Sequence, residues 1–287
     1  MQNKNRIAEC FARLKQEGRT GLVTFITAGD PDHETTAHIL NALPEAGADI
    51  VELGMPFSDP MADGPAIQAS SLRALKGGAT MARSFELVAG FRIKNKTTPV
   101  VLMGYYNPIY HYGTERFCED AAKVGVDGLI IVDMPPEEDE ELLLPARARG
   151  LDFIRLVAPT THDARLKYFL KNAGGFIYYI SIAGITGTRA PDIAKVRSRL
   201  AHLKTQTTLP VVVGFGIKTA DQASALAGSA AAIVVGSALT ETIRQGFERG
   251  LKSEALAKDV IVFVRGLAAG LNKQSQAGRT ESKGALA

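Results

Sequence analysis

The stretch VELGMPFSDPMADGPAIQ, residues 51–68, decides how the chain is read. Its first residues finish a β-type run from Ala48 to Leu53, and that run carries a carboxylate, Glu52, close to its end. A loop stiffened by Gly54, Pro56, Pro60, Gly64 and Pro65 follows, presenting Ser58, Asp59 and Asp63. Barrel enzymes point a carboxylate pair into a pocket in this way, with one acid on a strand end and another on the loop behind it. Two carboxylates in different surroundings can then divide acid and base roles at a single pH.

Working outward, short apolar runs alternate with amphipathic ones. The strand-like runs are residues 21–27, 48–53, 99–105, 126–133, 152–157, 176–181, 210–215 and 231–236. Between them lie helix-like stretches such as ETTAHILNALPEAG, TERFCEDAAKVG, DARLKYFLKNAG and TADQASALAG, several ending in the glycine that helix C-termini favour. Continuous apolar strands separated by helices imply a parallel sheet covered on both faces. Eight such units predict an α/β fold, a (β/α)8 TIM barrel, with a doubly wound open sheet as the alternative. A leader helix over 4–17 precedes the first strand and is expected to plug the bottom of the barrel. The connections after the second and sixth strands are long, as functional loops are. Residues 1–270 read as a single barrel domain, and the polar, aperiodic stretch 271–287 as a disordered tail.

Composition narrows the function classes. The 287 residues are 46% hydrophobic and 22% charged, with a net charge of +3 and no run of five basic residues, which argues against nucleic acid or membrane partners. Cys10 and Cys118 both fall in helix-like segments, so a reducing, cytoplasmic setting fits better than a disulfide framework. The N-terminus lacks the apolar core of a signal peptide. No stretch approaches the roughly 18 uninterrupted apolar residues of a membrane helix.

Burying Glu52 in an apolar strand is costly unless it is paired or catalytic; the plainer reading is an inward Glu bonded to an amide or a neighbouring side chain. Asp63 precedes Gly-Pro, where an Asx-turn is the ordinary role, and its place behind Glu52 is what argues for more. A second constellation comes late. Gly214 and Gly216 follow the seventh strand, and Gly236 and Ser237 follow the eighth where a helix begins. That is the usual phosphate site of barrels, although two tight turns without a ligand would look alike. A third, YYISIAGITGTRAPD (178–192), has the small residues Gly184, Thr186 and Gly187 of a mobile lid. Tyr178 lies in the sixth strand, where tyrosines more often pack than react. None of the five histidines falls in a strand-like run, no His/Cys/carboxylate cluster has metal-ligand spacing, and no lysine ends a strand except Lys218. Residue chemistry alone therefore reads as metal-free carboxylate acid–base catalysis on a small phosphorylated substrate.

VELGMPFSDPMADGPAIQ also closely resembles the hallmark motif of the tryptophan synthase alpha chain. The resemblance continues through FITAGDPD (25–32), LMGYYNPIY (102–110), IVDMPPEE (131–138), YYISIAGITG (178–187), VVGFGI (212–217) and VVGSAL (234–239), departing conservatively at Met55 and Met61. It implies retro-aldol cleavage of indole-3-glycerol phosphate to indole and glyceraldehyde 3-phosphate in L-tryptophan biosynthesis. Glu52 would be the acid–base group at the breaking bond, and Asp63 would accept a hydrogen bond from the indole N–H. Phe25, Ile67, Met103 and Ile130 would seat the indole, with Tyr178 beside Glu52. Amides around Gly187, Gly216, Gly236 and Ser237 would hold the phosphate. The resemblance further implies a pyridoxal-phosphate (PLP) beta chain on the active-site face in an αββα complex, with contacts at Pro56, Asp59, Pro60 and Asn107. This chain would then need no cofactor or metal of its own. Another phosphate-binding barrel enzyme, or a non-catalytic partner subunit, are the rival readings.

Overall fold

The computed structural model describes residues 5–181, 192–214, 216–217 and 219–284, with side chains as far as residue 272. Helix α1 (Arg6–Gln16) leads into β1 (Gly21–Thr27), α2 (His33–Ala46), β2 (Ile50–Gly54), α3 (Pro65–Lys76), α4 (Met81–Lys94) and β3 (Val100–Gly104). The chain continues through α5 (Tyr106–Tyr112), α6 (Thr114–Val124), β4 (Gly128–Ile131), α7 (Glu140–Ala148), β5 (Asp152–Phe153) and β6 (Arg155–Val157). It then adds α8 (Asp163–Lys171), β7 (Ile177–Ile180), α9 (Ile193–Gln206), β8 (Val211–Gly214), α10 (Ala220–Leu226), β9 (Ala232–Val235), α11 (Ser237–Glu248) and α12 (Ser253–Gly284).

All strand pairs are parallel, in the order β5-β4-β3-β2-β1-β9-β8-β7-β6. The two ends of that order are chain neighbours, separated only by Ile154, whose N–H donates to Leu129 O at 2.9 Å. β5 and β6 are thus two halves of one fifth barrel strand, β5 pairing with β4 and β6 with β7. The sheet closes as the eight-strand barrel that the alternating pattern predicts, and the open-sheet alternative drops out.

Strand residues split by alternation into two buried sets. Leu22, Ile26, Val51, Leu53, Leu102, Leu129, Val213 and Ile233 face the helices. Val23, Phe25, Ile50, Val101, Met103, Ile130, Phe176, Tyr178, Val212 and Val234 form a second cluster within the barrel, together with Ile7, Cys10, Phe11 and Leu14 of α1. The leader helix therefore does plug the barrel, with the Phe11 ring edge-on to Phe176 at 5.7 Å between centroids.

Charge fixes the plug in place. The triplets Gly47-Ala48-Asp49 and Gly125-Val126-Asp127 turn out of α2 and α6 on left-handed glycines (φ 108° and 92°) and deliver an aspartate to the start of the next strand. Asp49 accepts from Leu22 N–H, Arg13 and Arg19; Asp127 accepts from Val100 N–H, Arg92 and Arg6. Arg6 and Arg13 both belong to α1, so the helix is bound at two corners by buried carboxylates. At the far end of the chain, α12 packs against α2, and its last buried apolar residue is Leu271. Its backbone runs on as helix to Gly284, through most of the stretch the sequence reads as a disordered tail. A helix already nucleated by packing lengthens at little cost, and local polarity does not report that.

Candidate active site

β2 places Glu52 inside the barrel, paired in register with Phe25 of β1 and Val101 of β3. Its side chain is 1% exposed, and neither carboxylate oxygen has a hydrogen-bond partner among the described residues. Burial alone pushes its pKa up to about 8, because an unpaired charge is poorly solvated there. The bonded, structural glutamate that a strand carboxylate ordinarily is does not describe this one.

Asp63 reaches the same space from the loop between β2 and α3. That loop is held by its own backbone, Met61 N–H donating to Asp59 O (2.9 Å) and Asp63 N–H to Pro60 O (3.0 Å). Gln68 Nε2 then donates to Asp63 O at 2.8 Å as α3 begins on Gly64 and Pro65. Burial raises the Asp63 carboxyl to about 6, opposed by a hydrogen bond from the Tyr105 hydroxyl at 3.1 Å. Asp59 is exposed and accepts from its neighbour Ser58, which fits the turn role.

Tyr178 of β7 is buried, and its phenol is raised well above the ordinary value by burial and then by the charges of Glu52 and Asp63. The charges of both acids are thus felt at Tyr178. Its ring lies across Gly214, where any Cβ would collide with the tyrosine hydroxyl. Gly54 is constrained in the same way, since a Cβ there would come within 2.5 Å of Phe25 Cζ. Both glycines let aromatic rings lie over the strand ends.

A narrow pocket at the C-terminal ends of β1 to β4 is lined by Phe25, Gly54, Asp63, Ile67, Met103, Tyr105 and Val132, among others. Phe25, Ile67 and Met103, chosen from the sequence, are on its wall, whereas Ile130 sits fully buried in register with Met103. Tyr105, Val132 and Met55 escape the sequence reading. The signal for Tyr105 is its position directly after a strand end, inside the resembling stretch LMGYYNPIY.

Among the late glycines, Gly216 adopts a left-handed φ of 78° just past β8. Gly236 is the N-cap of α11 and Ser237 its first residue; no side chain caps this helix, which leaves first-turn amides for a ligand. Gly184, Thr186 and Gly187 lie outside the described residues. Among the described residues no group of three or more His, Cys, Asp or Glu is arranged to hold a metal ion, and no helix is long and apolar enough to cross a membrane.

A closed parallel barrel with a fully buried glutamate on a strand and a partly buried aspartate on the loop behind it defines the class: an α/β-barrel enzyme with its site at the C-terminal ends of the strands. The family model for the tryptophan synthase alpha chain matches residues 11–272. The fold is similar to the tryptophan synthase alpha subunit of Legionella pneumophila (TM-score 0.87, 36% identity, covering 94% of this chain and 99% of that one). It is also similar to a tryptophan synthase structure from Mycobacterium tuberculosis (TM-score 0.83, 32% identity, 93% and 98% covered). The chain belongs to the tryptophan synthase alpha chain family. It is a carbon–carbon lyase that cleaves indole-3-glycerol phosphate to indole and glyceraldehyde 3-phosphate in tryptophan biosynthesis.

Proposed function

We propose that Glu52 and Asp63 carry this cleavage in opposite protonation states. The observation behind the reading is the split between them: Glu52, unpartnered and raised to about 8, holds its proton at neutral pH, while Asp63, near 6, has lost its own. The bond between indole C3 and the glycerol carbon breaks once C3 is protonated and the ring becomes electron-poor. Glu52 delivers that proton and then, as carboxylate, takes one from the glycerol 3′-hydroxyl as it becomes the aldehyde. The bond's electrons return to the ring, and no proton is gained or lost overall. Asp63 accepts from the indole N–H and offsets the positive charge on the ring. General acid–base help of this kind is worth about 10²–10⁴-fold.

The indole rests against Phe25, Ile67, Met103 and Ile130, with Tyr178 beside Glu52. The phosphate is taken by Gly187, Gly216, Gly236 and Ser237, a set supported by the uncapped start of α11. These steps need only the chain's own side chains and amides, so we assign it no cofactor. Residues 1–270 act as one domain. The partner is a PLP-bearing beta chain that docks on the mouth in an αββα complex, contacts Pro56, Asp59, Pro60 and Asn107, and receives the indole. Supporting this are Met61 and Tyr110, 77% and 64% exposed on the same face, and an open cleft beside Asn107 lined by Tyr106, Asp133, Met134 and Glu138.

The test is indole release from indole-3-glycerol phosphate by wild type, Glu52→Gln and Asp63→Asn, with and without a beta chain. Both variants should lose turnover while still binding the beta chain. Turnover near wild type in Glu52→Gln would remove the acid–base assignment.

A further inference from the structure

One hydroxyl ties the acidic loop to the barrel rim. Tyr105 follows directly on β3, is 2% exposed, and its Oη makes two bonds at once. It accepts the N–H of Ala62 at 3.0 Å and donates to Asp63 Oδ2 at 3.1 Å. Its ring meets Phe57, from the other end of the same loop, at 5.5 Å between centroids. The loop is joined to β3 at its start, where Met55 N–H donates to Met103 O at 2.8 Å, and Tyr105 fixes its Asp63 end to the same strand's end from 42 residues away.

We infer that Tyr105 is a positioning residue for the cleavage, its hydroxyl setting the orientation of Asp63 so that the second carboxylate oxygen is left for the indole N–H. This rests on the role proposed above for Asp63. A phenol that accepts one amide and donates its single proton has no rotational choice left, and its lone donor goes to Oδ2. Other titratable groups bearing on this space are Glu52 from β2 and Tyr178 from β7, with Asp133 acting on Tyr105 from beyond β4. None of these is a cation. Among the described residues the Tyr105 bond is therefore what opposes burial in keeping Asp63 ionised. Burial and the Asp63 charge hold the phenol above its ordinary value, so it stays a donor through the working range.

The experiment is Tyr105→Phe, which keeps the ring and its contact with Phe57 but removes the hydroxyl. Indole release is followed against pH in wild type, Tyr105→Phe, Asp63→Asn and the double variant. A hydrogen bond to a charged group is worth roughly a tenfold to hundredfold change, so kcat/KM at neutral pH should fall by that factor. The acid limb should move to higher pH, because the carboxylate has lost a donor. In the Asp63→Asn background the second substitution should cost little further, as expected for residues acting as a unit. An acid limb unmoved in Tyr105→Phe, or full additivity in the double variant, would overturn the positioning role; thermal melts at equal Tm exclude a folding defect as the cause. If Asp63→Asn itself turns over normally, the role of Asp63 is what fails, and that single variant separates the two outcomes.

Discussion

Replacing Glu52 by glutamine should make the protein more stable and nearly inactive, by an amount that depends on pH in a defined way. The unfolded glutamate titrates near its ordinary 4.5, whereas the folded one is raised by burial to about 8. Between those values the folded state retains a proton that the unfolded state releases, so stability falls as pH rises across the window. The penalty is absent below about 4.5 and complete above about 8. Each pH unit inside the window is worth about 1.4 kcal/mol, which makes the cost under about 1 kcal/mol at pH 5 and about 3 kcal/mol at pH 7. Glutamine has nearly the same shape and does not titrate, and its one extra N–H donor adds a cost that is the same at every pH. Urea denaturation of wild type and Glu52→Gln at pH 5, 6, 7 and 8 should therefore give a variant midpoint that rises progressively relative to wild type from pH 5 towards pH 8. The same samples should lose indole release by at least the 10²–10⁴-fold typical of an acid–base group. A midpoint difference that stays constant with pH would mean that Glu52 is solvated or paired in the folded protein. The proposed proton donor would then be ionised at neutral pH and the reasoning would fail.

Three further outcomes are expected. Indole release should follow a bell-shaped pH profile, falling below about 6 as Asp63 takes up a proton and above about 8 as Glu52 loses its own; a rate flat from pH 5 to 9 would contradict the division of roles. Asp127→Asn should destabilise by about 3–5 kcal/mol, because Arg6, Arg92 and the Val100 amide converge on that buried carboxylate; an unchanged denaturation midpoint would show that α1 is held by its apolar face alone. Gly214→Ala should cost about 1–3 kcal/mol of stability and lower kcat/KM as Tyr178 is displaced, and a crystal structure of the variant with Tyr178 unmoved would refute the collision.

The fold was open to reading because its signals are local. Apolar runs of β-branched residues followed by glycine-ended helices mark each βα unit, and all eight barrel strands lie where the pattern predicts them. The break at Ile154 escapes this reading, because it lies in the pairing, β5 with β4 and β6 with β7, and not in residue type along the chain. Glu52, Asp63, Phe25, Ile67, Met103 and Tyr178 all fall in the resembling stretches; the structure puts Phe25, Asp63, Ile67 and Met103 on one pocket wall and Glu52 and Tyr178 in the barrel interior. Sequence does not distinguish Tyr105, since a tyrosine after a strand end looks the same whether or not a carboxylate from a distant loop meets its hydroxyl.

By itself, then, the sequence determined the parallel barrel, the leader helix, the family and the two acids, all of which depend on residue type and spacing along the chain. Tertiary structure alone decided that Glu52 has no hydrogen-bond partner among the described residues, that Asp63 has one, and that burial raises the first carboxyl to about 8 and the second to about 6. Solvation is a property of the assembled surroundings. A carboxylate's proton affinity follows the water it has lost and the donors it has met, and both are supplied by segments remote in sequence.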